Sequence, residues 1–365
     1  MAPDDAPAKP LEGTRVVDLS AALPGPYCTQ LLADLGAEVV KVERPGGGDY
    51  LRLLMPGVFR QFNRGKQSVV LDLKDDADRA TFWRLLESAD VLLEGFRPGV
   101  MTRLGLSADQ VRRRLPRLVY CSISGWGQAG PLAKVPAHDL NYLGAVGALH
   151  DPLTGEVSGQ PTMLVADLAA GMAAAAAILA ALLSRAHTNE GATIDLAMAD
   201  VVMQWAMATH AAQAGGDDAT AEISPAHGVF RTADGRLVTL GAIEDHFWDR
   251  FCAIAQDPRL SDPRFRTHAR RNRAFATVRR LLEEVMCSRT AAEWITIAQD
   301  ADVPILPVHT FAEALDQPHF KERAMIVPAG DGGPLRTGFP ARWDGALLTA
   351  GTTTPEPGDA DPGQR

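Results

Sequence analysis

The sequence predicts an α/β protein: a large doubly wound parallel-sheet domain with a second, smaller α+β domain. Three observations carry that expectation. Short apolar runs alternate with helical stretches through the first half of the chain, a polar, glycine-containing break falls at 215–224, and a hairpin signal follows it. At 365 residues the chain also exceeds the usual size of one compact domain.

Residues 14–19 (Thr-Arg-Val-Val-Asp-Leu) read as a short buried strand, 27–35 as a helix ended by Gly36, and 37–42 as a second strand. That is the strand–helix–strand unit of a parallel sheet, whose carboxyl edge is where ligands bind. The alternation continues with strands at 68–73, 91–94 and 118–124 and helices at 76–88 and 107–115. An alanine-rich helix at 167–184, a strand at 193–196 and a long helix to about Gln213 complete a large domain over 11–214. The most lipid-like stretch, 163–183, contains Asp167 and is mostly alanine, so it reads as a buried helix and not a membrane span.

Residues 228–231 and 237–240 flank Ala-Asp-Gly and read as a hairpin. Helices at 246–255, 274–286 and 291–299 and a strand at 304–308 place a small α+β domain over 225–309. The chain then returns to the large domain over 310–348. Residues 1–10 carry acids and prolines and no secretory signal, and 349–365 are rich in Thr, Pro, Gly and Asp, so both ends read as disordered tails.

The formal net charge of −9 speaks against nucleic-acid binding, which needs a concentrated positive surface. The basic run 270–273 lacks interleaved aromatics and reads as a solvated helix start. Cys28, Cys121, Cys252 and Cys287 form no Cys-x-x-Cys pair. That argues against a zinc ribbon or a disulfide framework, favours a reducing cytoplasm, and leaves no expected metal site.

Chemistry concentrates in three places. His138 opens the segment His-Asp-Leu-Asn-Tyr, Asp167 begins the alanine-rich helix, and Glu244 follows in Leu-Gly-Ala-Ile-Glu. One imidazole and two spaced carboxylates offer two proton-transfer groups and an orienting partner, which moving a carbon-bound proton requires. Each also has an ordinary structural explanation: Asp167 as a helix N-cap, His138 as a hydrogen-bonded histidine, Glu244 as an exposed helix start.

Beyond these residues the chain resembles the family III coenzyme A transferase superfamily, and within it the α-methylacyl-CoA racemase branch. The resemblance rests on Leu-Glu-Gly-Thr-Arg-Val-Val-Asp-Leu (11–19), Leu-Gly-Ala-Glu-Val-Val-Lys-Val-Glu-Arg-Pro (35–45), Glu-Gly-Phe-Arg-Pro-Gly (94–99) and Gly-Trp-Gly-Gln-Ala-Gly-Pro (125–131). It implies an acyl-CoA substrate, an interlocked homodimer and no cofactor beyond the coenzyme A of the substrate itself. It further implies that His138 and Asp167 exchange base and acid roles across a 2-methylacyl-CoA α-carbon, with Glu244 orienting His138. The enolate oxygen is then expected to meet backbone N–H groups where the Asp167 helix begins. Residues 224–230 and 303–308 are more similar to the transferases, in which the aspartate is a nucleophile. CoA transfer through Asp167 therefore stays open as the alternative.

A CoA substrate carries several phosphate charges and calls for basic groups at its site. Lys41, Arg44, Arg64, Lys66 and Arg97 fall in or near loops after the expected strands. Arg44 and Arg97 stand where the resemblance places CoA contacts, and for Lys41 and Arg64 an ordinary ion pair serves as well.

Overall fold

The computed structural model describes residues 8–150, 156–157, 159–214, 224–327 and 335–361. The chain divides into two compact units, Met1–Ala206 with Pro318–Arg365, and Met207–Gln317. The expected break at 215–224 lies, apart from Ser224, outside the described residues.

Six strands build the main sheet of the first unit: β1 (Arg15–Leu19), β2 (Glu38–Glu43), β3 (Gln67–Val70), β4 (Val91–Glu94), β5 (Val119–Ser124) and β6 (Thr193–Ala197). All their pairings are parallel, in the order β3-β2-β1-β4-β5-β6. Alternating side chains make two apolar layers, as the pleat requires. Val16, Val39, Val91, Val119 and Cys121 face one core with the helices Pro24–Asp34 and Val165–Thr188. Val17, Val40, Leu92 and Tyr120 face another with Asp76–Glu87 and Ala108–Arg114. Helices on both faces of a parallel sheet are the doubly wound arrangement that the alternation predicts.

By length and composition alone the Val165–Thr188 helix could cross a membrane. Its alanines and Gly171 instead permit close packing on the Pro24–Asp34 helix: a Cβ at 171 would stand 2.7 Å from the Pro24 carbonyl oxygen.

The second unit carries the antiparallel strands β7 (His227–Arg231), β8 (Leu237–Gly241) and β9 (Ile305–Pro307). They cover a core of Trp248, Phe251, Val278, Leu282 and Trp294, most of it supplied by the helices Asp245–Ala255, Phe275–Met286 and Ala291–Asp300. Residues 310–317 stay with this unit instead of returning to the large one at 310. Arg236 holds Glu313 at 2.8 Å there, beside a Thr310 capping box.

The tail expected to be disordered from 349 is, over 349–361, built into the first unit. Its composition is polar, but its backbone finds partners: Ala350 N–H donates to Asp34, Gly65 N–H to the Thr353 carbonyl at 2.8 Å, and Ser68 N–H to Asp359 at 2.9 Å. The segment thereby covers the outer edge of β3, an open strand edge that would otherwise offer unpaired amides. Residues 362–365 and 1–7 lie outside the described residues. Short helices at Leu51–Leu54, Pro56–Phe62 and Asp139–Ala145 have too little periodicity to be read from sequence.

Candidate active site

A cavity of about 620 Å³ opens at the carboxyl end of the sheet, where the strand order reverses between β1 and β4. Its walls are the loop after β1 (Ser20 to Gly25), the turn Gly95 to Pro98 after β4, and Ser124 to Trp126 after β5. His138, Asp139, Tyr142 and Asp167 close one side. Two of the three sequence-derived chemical residues, His138 and Asp167, are thus brought to one cavity.

Asp167 is not the cap of its helix. Leu164 occupies that position and Asp167 sits in the first turn, half-buried, so its carboxylate is free for the cavity. Burial, with the neighbouring Asp139 charge adding to it and His138 opposing it, pushes the Asp167 carboxyl up to about 6. Its N–H donates to Asp139 Oδ1 at 3.1 Å, so that amide is engaged inside the protein. His138 is exposed at the start of the Asp139–Ala145 helix, and its N–H donates to Asn141 Oδ1 at 2.8 Å. The backbone is fixed, and the residue lines the cavity.

Around this pair stand residues that sequence reasoning did not assign. Tyr142 is buried, packs edge-on against Trp126 with ring centroids 5.1 Å apart, and lends its hydroxyl to the Ala137 carbonyl. Burial and then the Asp167 charge raise its pKa. The available signal was the spacing in His-Asp-Leu-Asn-Tyr, which sets Tyr142 one helical turn beyond His138.

Three of the five expected CoA contacts are corrected by burial. Lys41 is fully buried, 3.1 Å from Asp49 and donating to the Ser20 carbonyl at 2.8 Å. Lys66 Nζ reaches Asp18 at 3.2 Å, Thr29 at 2.7 Å, Asn63 at 2.9 Å and the Pro26 carbonyl at 3.0 Å. Arg64 is paired with Asp34 at 2.9 Å and with the Thr337 carbonyl. These cations are paired internally with buried carboxylates and brace the loops beneath the cavity. Burial alone would raise Asp18, but Lys41, Lys66 and the hydroxyls of Ser20 and Thr29 outweigh it and hold the carboxyl at about 2. Arg44 is exposed and donates to the Gly48 carbonyl at 3.3 Å, and Arg97 is exposed on the cavity wall. Both remain accessible to phosphate.

Glu244 belongs to the second unit, exposed before the Asp245–Ala255 helix with no capping bond from its side chain. No group of three or more His, Cys, Asp or Glu able to hold a metal occurs among the described residues.

The profile of CoA-transferase family III matches residues 11–360. An acetyl-CoA:oxalate CoA-transferase of Acetobacter aceti is 36% identical, covering 93% of this chain and 90% of that protein. The human α-methylacyl-CoA racemase is 35% identical, over 87% and 82% respectively. A crystal structure of Rv3272 from Mycobacterium tuberculosis has a TM-score of 0.86 and 32% identity, covering 97% of this chain and 98% of that one.

Proposed function

The chain belongs to CoA-transferase family III, and from that premise we propose that it epimerises 2-methylacyl-CoA thioesters through His138 and Asp167. The observation that carries this reading is that the two residues line one cavity close enough for the imidazole to offset part of the upward push on the carboxyl. A thioester makes its α-hydrogen acidic because the C–H electron pair can move onto the carbonyl oxygen as an enolate. One residue takes the proton from one face. The other, carrying a proton of its own, delivers it to the same carbon from the opposite face, and the enolate pair re-forms the C–H bond with inverted configuration.

A carboxyl titrating near 6 suits this exchange, since it is ionised at neutral pH yet returns a proton more readily than an ordinary aspartate. Arg97 and Arg44 are the accessible cations for the substrate's phosphates. Glu244, on the strength of the resemblance, stays a proposed catalytic residue, and the working form would be an interlocked homodimer, whose dimeric mass light scattering tests.

The second reading is CoA transfer, favoured by the oxalate transferase relative and by the half-buried Asp167 carboxylate on the cavity wall. There Asp167 attacks the acyl carbonyl and expels CoA thiolate, leaving an anhydride. The thiolate then attacks the aspartyl carbonyl and releases the carboxylic acid, leaving an enzyme–CoA thioester. Proton NMR in deuterium oxide with the R and S forms of 2-methylacyl-CoA separates the two. Epimerisation exchanges the α-proton of both hands. Movement of CoA between free acids with no α-exchange, together with a hydroxylamine-sensitive adduct on Asp167, would overturn the racemase reading.

A further inference from the structure

We propose that the Tyr50 hydroxyl donates a hydrogen bond to the thioester carbonyl oxygen of the substrate as negative charge develops there. The inference rests on the acyl-CoA ligand proposed above and not on which reaction follows, since that oxygen gains charge both in an enolate and in the adduct of nucleophilic attack. Two tyrosines line the cavity, and their hydroxyls differ. Tyr142 is buried and donates to the Ala137 carbonyl at 3.3 Å. Tyr50 is 43% exposed, and its hydroxyl makes no hydrogen bond to another described residue. A ligand entering the cavity therefore meets a phenol that is accessible and whose donor is unused.

Tyr50 also stands within the field of the reacting carboxylate. Burial first, then the charges of Asp49 and Asp167, raise its pKa, and the Asp167 charge acts in the same sense on Tyr142. With two carboxylates nearby the phenol stays protonated at neutral pH, so it serves as a donor and not as a base. Its stretch of backbone is held before any substrate arrives. Lys41 pairs with Asp49 at 3.1 Å, Asp49 accepts from the Leu51 N–H at 3.0 Å, and the Asp49 N–H donates to Glu43 Oε2 at 2.9 Å. Arg52 meets the same Glu43 oxygen at 2.8 Å and donates to the Pro355 carbonyl at 2.9 Å. The charge pairs around Asp49 thus fix this part of the wall, and an oxyanion donor works by standing in place before charge appears.

The test is Tyr50→Phe, which removes the hydroxyl and keeps the ring, read by steady-state kinetics across pH, calorimetric titration of free CoA and thermal unfolding. Because the hydroxyl is unpaired in the free protein, Tm should not change. The variant should lose about 10²-fold in kcat, the usual effect of removing one oxyanion donor, with free CoA affinity and the acid limb of kcat/KM as in wild type. Wild-type turnover would overturn the proposal, as would a loss accompanied by a lower Tm. An acid limb displaced upward with the plateau preserved would also overturn it, by placing the hydroxyl on Asp167 and not on the ligand. A second measurement needs no reaction: an acyl-CoA and its thioether analogue, which lacks the carbonyl, are titrated into both proteins. Wild type should prefer the thioester by about threefold to tenfold, and Tyr50→Phe should lose that preference. Equal binding of the two ligands by wild type, or a preference that survives in the variant, overturns the proposal. Should wild type show neither α-exchange nor CoA transfer, the functional reading fails by itself, and this titration still decides the role of Tyr50.

Discussion

Two clusters of charge lie at the same end of one sheet and behave in opposite ways. Beneath the cavity, Asp18 and Lys66 are both fully buried, and Lys66 is surrounded by four oxygen partners. On its wall, Asp167 is half-buried beside a second carboxylate, with an exposed imidazole as its opposing charge. Burial pushes both carboxyls upward. The difference is the number of cations and donors set against it, which pulls Asp18 down to about 2 and leaves Asp167 at about 6. A fully compensated cluster holds loops in place. A partly compensated one is ready to exchange a proton.

The contrast would break most visibly at Asp167. Asp167→Asn should lower α-deuterium incorporation from one substrate hand by about 10²–10⁴-fold, while partial exchange from the other persists through His138. Separate NMR assays of the R and S thioesters measure this, and equal loss from both hands would favour the nucleophile. Lys66→Met should do the reverse, costing about 3–5 kcal/mol of stability because Asp18 is left as a buried charge without its ammonium. A urea midpoint unchanged from wild type would remove the bracing role assigned to this pair.

Acidity sharpens the comparison. Asp167 has a folded pKa above its unfolded value, so it favours the folded state below about pH 4, and that contribution is lost as pH rises through about 6. Asp167→Asn should accordingly be more stable than wild type at pH 8, by roughly 1–2 kcal/mol, and nearly equal to it at pH 4. Over the same range kcat/KM for the hand deprotonated by Asp167 should fall below about pH 6. Asp18 follows the opposite rule: its contribution is present above pH 4 and is lost as pH falls through about 2. The smallest expected effect is at the rim. Arg97→Ala should weaken CoA by about 1 kcal/mol and should weaken a pantetheine thioester less. The difference should shrink with added salt, and equal losses for both ligands would place Arg97 away from the phosphates.

The sheet was legible because its strands are continuous apolar runs separated by glycine and by helical periodicity, as at 14–19 and 37–42. His138 and Asp167 were legible because their segments resemble a known pattern. Lys41, Arg64 and Lys66 were misread because a basic residue in or beside a strand looks the same in sequence whether it meets a phosphate or a buried aspartate. Only the fold supplies Asp18, Asp34 and Asp49 as their partners. Residues 349–361 were misread for a related reason: tail composition records the absence of a core face but says nothing of backbone partners contributed by Gly65 and Ser68.

That last segment bears on the order in which the protein can assemble during synthesis. The second unit is one uninterrupted stretch of chain, so everything it needs leaves the ribosome together. The first unit does not have that advantage. Asp34 receives the Ala350 amide, Gly65 reaches Thr353, and Lys9 donates to the Thr349 carbonyl at 2.9 Å, so the opening elements are finished only by residues translated much later. The edge of β3 is therefore open in a nascent chain from the synthesis of Ser68 until that of Asp359 and Ala360, an interval in which an unpaired strand edge can pair with another chain.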